Sequence, residues 1–192
     1  MVQMLSNLEV ILLSIVSEKP SYAYEINRVI DYRNMRMWVR VGVSSIYQTL
    51  RRLEESEMII SRAEKEGEMP VRRRYYITDY GKNALVKASK RLLSNLDWYY
   101  LDLNVGLEAS ECLDSKEIAS LLTKRLAKVK SNIERMKEIY INEKNASFKR
   151  KALIKNLVYL RESEETFLRE IIREISVNHL QLDSDGLVAS NI

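Results

Sequence analysis

Between Gly42 and Gly81 the chain runs GVSSIYQTLRRLEESEMIISRAEKEGEMPVRRRYYITDYG. A helix-period segment, two extended runs around a polar tip and a further helix start follow one another without a spacer, an order that few folds accommodate. From Val43 to Ser56, the residues Val43, Ile46, Tyr47, Leu50 and Leu53 recur at three- and four-residue spacing, so the spacing predicts an amphipathic helix. Ser44, Ser45, Gln48, Thr49, Arg51 and Arg52 are expected largely off the apolar stripe. Hydroxyls, an amide and guanidinium groups on one face suit a major groove, where they pair with base edges or phosphates. An ordinary solvated helix face has the same composition, so the helix alone does not decide between the two.

The context does. Met58, Ile59 and Ile60 begin an extended run, Glu64 to Pro70 forms a polar tip around Gly67, and RRRYYIT returns from Arg72 to Thr78. This pattern predicts a two-stranded hairpin. Strand alternation puts Arg73, Tyr75 and Ile77 on one face and Arg72, Arg74 and Tyr76 on the other. Three adjacent arginines would clamp phosphates, the competing reading being an edge strand that uses charge to block pairing.

Upstream, Leu8, Ile11, Leu12, Ile15 and Val16 make a helical stripe that stops before Pro20. Ser21 is then placed to cap a second helix carrying Tyr22, Ile26, Val29 and Ile30. A reader helix needs such support, because in a helix-turn-helix the first helix crosses the backbone while the second enters the groove. Asp31 to Val41 reads as a connector, with Trp38 in the head core. From Lys19 to Leu92 there are sixteen Lys and Arg against nine Asp and Glu, whereas Leu93 to Ile192 has fifteen against sixteen, so the overall +4 hides a basic head. That imbalance is the electrostatic footprint of a nucleic-acid binder.

The strings LLSIVSEKPSYAYEI, GVSSIYQTLRRLEE and RRRYYITDYGKNAL resemble the PadR family of winged helix-turn-helix transcriptional regulators, over roughly residues 5 to 92. The resemblance rests on Ala23 to Ile26, on Tyr-x-x-Leu-x-x-Leu-Glu from Tyr47 to Glu54, and on Tyr-x-hydrophobic-Thr-x-x-Gly from Tyr75 to Gly81. Ala23 and Glu57 stand where the family usually has glycine. A left-handed cap at Glu57 would carry about 1 kcal/mol of strain, so the helix-to-strand junction is where a departure from the family is expected. The resemblance implies a homodimeric repressor that binds double-stranded DNA, with reader helices in successive major grooves and wings on the flanking backbone, and release by a small molecule or another signal. The DNA-binding residues expected are Ser44, Ser45, Tyr47, Gln48, Thr49, Arg51, Arg52, Arg72, Arg73 and Arg74.

The rest of the chain reads as helix, with five Gly and two Pro in 192 residues and long 3.6-period segments. A helix is expected from Asp79 to about Val105, with Leu85, Leu92, Leu96, Tyr99 and Leu103 near a heptad seam and Gly106 as its stop. Asp114 and Glu117 form a capping-box-like start for a helix carrying Ile118, Leu122, Leu126, Val129, Ile133, Met136 and Tyr140. After a polar break at Asn142 to Ser147, the next helix carries Leu153, Leu157, Leu160, Phe167, Ile171 and Ile175. A lone pair of such helices lacks a second layer, so a second copy is the simplest partner, and Leu96, Leu103, Leu122, Val129, Leu157, Leu160 and Ile171 are the expected dimer contacts. An intrachain bundle in a monomer is the alternative. The expected division is a DNA-binding head over residues 1–92, a helical dimerisation domain over 93–180 and a tail over 181–192, a mainly α architecture with a small two-stranded β wing.

Trp98, Tyr99 and Tyr100 are expected within one helical turn, filling aromatic dimer core or, for Trp98 and Tyr99, lining an effector cavity. The single cysteine, Cys112, and the single histidine, His179, leave no intrachain disulfide and no cysteine-cluster metal site. With no phosphate loop and no two-histidine motif, neither enzyme chemistry nor a cofactor is expected. No run approaches the length of a membrane span, so the chain reads as cytoplasmic. A winged-helix module that binds another protein is the rival function.

Overall fold

A computed structural model describes residues 4–65, 71–96, 98–143 and 147–189, with side chains to 177 in the last segment. The wing tip around Gly67, Asp97, the side chain of His179 and the last three residues lie outside that description. The chain divides into two compact units, Met1–Trp98 and Tyr99–Ile192.

In the first unit, α1 (Asn7–Glu18) starts with a capping box: Glu9 N–H donates to Ser6 Oγ at 3.3 Å, while the Ser6 backbone N–H donates to the Glu9 carboxylate at 2.8 Å. Two orphan donors of the first turn are thereby satisfied. Ser21 is not a helix cap; with Tyr22 it forms β1 (Ser21–Tyr22), and α2 (Ala23–Tyr32) starts behind it. There the Tyr22 backbone N–H donates to Glu25 at 2.9 Å. The connector holds a 3-10 turn, Met35–Met37. Arg36 ties it down, donating to Asp31 and Asn27 at 2.7 Å each and to the Val41 carbonyl.

Next come α3 (Val43–Glu55), β2 (Ile59–Glu64), β3 (Arg72–Ile77) and α4 (Asp79–Ser94). The expected hairpin pairs antiparallel with Arg62 opposite Arg74 and Ile60 opposite Tyr76. β1 adds a third strand, with Tyr22 opposite Arg74. Leu12, Leu13, Ile26, Ile30, Ile46, Leu50, Leu53 and Ile59 form the fully buried centre, and Trp38 packs against it.

α4 ends at Ser94 with Asn95 extended, so the expected continuous helix to Val105 does not form. Ser94 and Asn95 favour side-chain bonds to nearby backbone over helix continuation. Trp98, Tyr99 and Tyr100 therefore lie outside any helix, at 83%, 67% and 91% exposure, and the turn-sharing aromatic trio is not present. In the second unit, Gly106 lies inside the short α5 (Asp102–Glu108) rather than stopping a long helix.

A 3-10 turn, Ala109–Cys112, leads to α6 (Ser115–Asn142), capped by Asp114 accepting from Glu117 N–H at 2.8 Å, and then to α7 (Phe148–Ala189). α7 continues past Gln181, where a tail was expected; no proline interrupts the segment, and propagation adds one hydrogen bond per residue. Leu122, Val129, Ile133 and Met136 close a seam with Ile154, Val158 and Leu168. Leu122 and Val129, expected at a dimer contact, are thus used up within one chain. The α7 side chains in this seam are a stripe adjacent to the one expected, leaving Leu157 and Ile171 half-buried and Leu160 exposed. Among the described residues no helix is long and apolar enough to cross a membrane.

Candidate nucleic-acid interface

The exposed face of α3 is set by which residues the core takes. Ile46, Thr49, Leu50 and Leu53 point inward, with Thr49 only 1% exposed. At about 100° per residue, this places the buried face toward Thr49 and leaves the Tyr47 side in water. Two expectations change accordingly. Thr49 cannot meet a base, its hydroxyl accepting instead from Arg52 at 3.1 Å, and Val43 and Tyr47, counted in the core stripe, are each 53% exposed. Ser44, Gln48, Arg51 and Arg52 are exposed as expected, with Ser45 half-buried at the edge. Arg51 pairs with Glu55 one turn on, at 2.8 Å.

The helix ends in the way glycine normally allows. Glu57 takes φ 59°; its N–H donates to Glu54 O, and Met58 N–H to Leu53 O, both at 3.0 Å. This is a Schellman pair, so the junction keeps the glycine-type geometry despite the glutamate. Strand β2 then starts at once, and Thr78 Oγ1 ties it to the start of α4 by donating to Glu57 O at 2.8 Å.

The three wing arginines are divided between two faces, as strand alternation requires. Arg73 lies on the α3 side, 3.4 Å from the Glu54 carboxylate, which also accepts from Ser61 at 2.5 Å. Arg72 and Arg74 lie on the other face, over the rings of Tyr24 and Tyr22 at 5.2 and 4.4 Å. Those rings stack on each other with centroids 5.7 Å apart. Arg74 also pairs with Glu64 at 3.3 Å. The hydroxyl of Tyr76, donating at 2.5 Å, chiefly holds Glu64 below the usual carboxylate range, and Arg74 and the hydroxyl of Tyr22 add to the effect. Arg62 covers the ring of Tyr76 at 4.9 Å.

Glu54, Glu64, Tyr22 and Tyr24 orient the arginines, a role that the sequence pattern does not give them. A two-residue strand has no periodicity to detect, so the Tyr22–Arg74 pairing is visible only in three dimensions. Arg74, with its side chain 26% exposed, is held as part of the sheet; Arg73, at 67%, is the more available cation.

Residues 12–87 match the family described as Transcriptional regulator PadR-like family. Over these residues the head of the chain is similar to that family. The PadR-like architecture extends over most of the chain. The structure of Bacillus subtilis PadR in complex with operator DNA aligns with a TM-score of 0.76 at 18% identity, covering 88% of this chain and 99% of that one. PadR from the same organism in complex with p-coumaric acid gives 0.71 at 17%, covering 88% and 98%. The Vibrio cholerae virulence activator AphA gives 0.67 at 13%, covering 89% and 99%. At these identities the likeness establishes the PadR-like fold. No functionally curated protein sequence matches the chain.

Proposed function

We propose that this PadR-like regulator binds double-stranded DNA sequence-specifically, as a homodimeric repressor on a pseudo-palindromic operator. The observation that carries this reading is the outer face of α3: Ser44, Tyr47, Gln48, Arg51 and Arg52 project from a helix flanked by an arginine-bearing wing. From Tyr32 to Leu53 the sequence holds five arginines and no carboxylate; Arg33, Arg36 and Arg51 pair with Glu18, Asp31 and Glu55, and Arg40 and Arg52, both exposed, add positive charge that attracts phosphate. Ser44, Ser45 and Gln48 serve base edges; Arg51, Arg52, Arg72 and Arg73 serve the backbone. Bacillus subtilis PadR, solved on its operator DNA, supports DNA binding by analogy.

The part-exposed apolar stripe on α7, with Leu157, Leu160 and Ile171, supports a second copy as partner; Leu103 of α5 and, in the first unit, Leu96, which is 89% exposed, are further candidate dimer contacts. Bacillus subtilis PadR has also been solved with p-coumaric acid. By analogy, release by a small aromatic effector belongs to this reading, with Trp98 and Tyr99 as the residues to exchange in testing it. Neither catalytic chemistry nor a cofactor is part of the function, and the chain works in the cytoplasm.

Selection of bound duplexes from a random pool tests the reading. A two-fold motif with half-sites about one helical turn apart is expected. Failure to enrich any motif, with binding to a protein partner through α3 instead, would favour the rival reading of a winged interaction module.

A further inference from the structure

Val43 and Tyr47 are the two apolar side chains of α3 that the core does not take, each 53% exposed. They stand four residues apart, which makes them neighbours on one helix edge. Gly42, extended at φ −98° and ψ 163°, precedes the helix, so Val43 sits in its first turn, where a recognition helix meets base edges. Their exposed neighbours are Ser44, Gln48 and Arg51, and Arg40 lies just before the helix. With Arg40 and Arg52 exposed at either end of this stretch and the positive end of the helix dipole beside Val43, the occupant that fits is polyanionic with an apolar spot. Among the bases, thymine alone carries a methyl group on the major-groove edge.

We propose that Val43, flanked by the ring of Tyr47, reads the C5-methyl of a thymine in each half-site. This rests on the DNA-binding reading above and adds one discriminating contact to it. The methyl fills against the valine isopropyl group while Ser44 and Gln48 take polar edges beside it.

Deoxyuridine differs from thymidine by that methyl alone, which isolates the contact. Duplexes selected from a random pool by the full chain are remade with deoxyuridine at one thymine at a time. At one position per half-site the replacement is expected to weaken wild-type binding about four-fold, the worth of one buried methyl. Val43→Ala is expected to bind the two duplexes equally; alanine is at least as good a helix former as valine, and circular dichroism verifies its fold. The proposal is overturned if no single replacement affects wild type, or if Val43→Ala suffers the same loss. If wild type selects no duplex at all, the DNA-binding reading itself fails, the face passes to a protein or a second copy, and this proposal falls with it.

Discussion

Gly81 packs its α-carbon against the Met58 carbonyl so closely that an added Cβ would lie 2.0 Å from the oxygen. Thr78 reaches the same carbonyl with its N–H and its hydroxyl, both at 3.1 Å, and caps Gly81 N–H at 3.0 Å. The end of α3, the start of β2 and the start of α4 are thus locked at one point. Gly81→Ala forces backbone away from backbone and is expected to destabilise the head by about 3 kcal/mol, the upper range of overpacking. Thermal unfolding followed by circular dichroism checks this; an unchanged midpoint would contradict it.

Glu57 supplies the opposite case. It holds φ 59° without glycine, so Glu57→Gly is expected to relieve about 1 kcal/mol of left-handed strain while keeping the Schellman bonds. The urea midpoint should rise with no loss of DNA affinity. A fall would mean that the glutamate side chain contributes more than its backbone costs.

The head was legible because its buried stripes are short, well bounded and unopposed: Leu12, Ile26, Ile46 and Ile59 each follow from local periodicity. What stayed hidden depends on phase and on competition. The α3 stripe from Val43 to Leu53 is wide enough to rotate by a residue, and the core selects the Thr49 side. Along α7 two adjacent stripes are apolar, and only packing against α6 selects Ile154, Val158 and Leu168 over Leu157, Leu160 and Ile171. The break after Ser94 carries neither Gly nor Pro, so periodicity ran through it. The arginine partners Glu54 and Glu64 lie apart from the arginines in sequence; strand register brings Glu64 to Arg74, and the packing of α3 against the sheet brings Glu54 to Arg73.

The two α7 stripes predict separable defects. Leu168, fully buried in the α6–α7 seam, should cost roughly 2–5 kcal/mol of hairpin stability when cut to alanine. Leu160→Glu, on the exposed stripe, should leave helix content intact and reduce the molar mass in light scattering from dimer to monomer. A wild-type monomer, or a Leu160→Glu dimer of unchanged affinity, would refute this division.

Acid should loosen the hairpin. Burial raises the Glu164 carboxyl, but hydrogen bonds from Arg125, at 2.8 Å, and Arg161 outweigh it, leaving the group below the usual value. Arg150 holds Glu143 low in the same way. A carboxylate depressed by folding stabilises above its unfolded value, and that stabilisation is lost as pH falls through the folded one. Helix stability should therefore be flat near neutrality and decline below the ordinary value of 4.5. Glu164→Gln should flatten that acid decline; stability that rises on acidification would reverse the assignment.

If the basic head binds duplex DNA through its phosphates, its affinity must depend steeply on salt. For one selected duplex, the logarithm of wild-type affinity is expected to fall linearly and steeply with the logarithm of salt concentration. In Arg73→Ala the slope should shrink by about 1, as one phosphate contact is lost. An affinity indifferent to salt, or no binding to any duplex, would contradict the account.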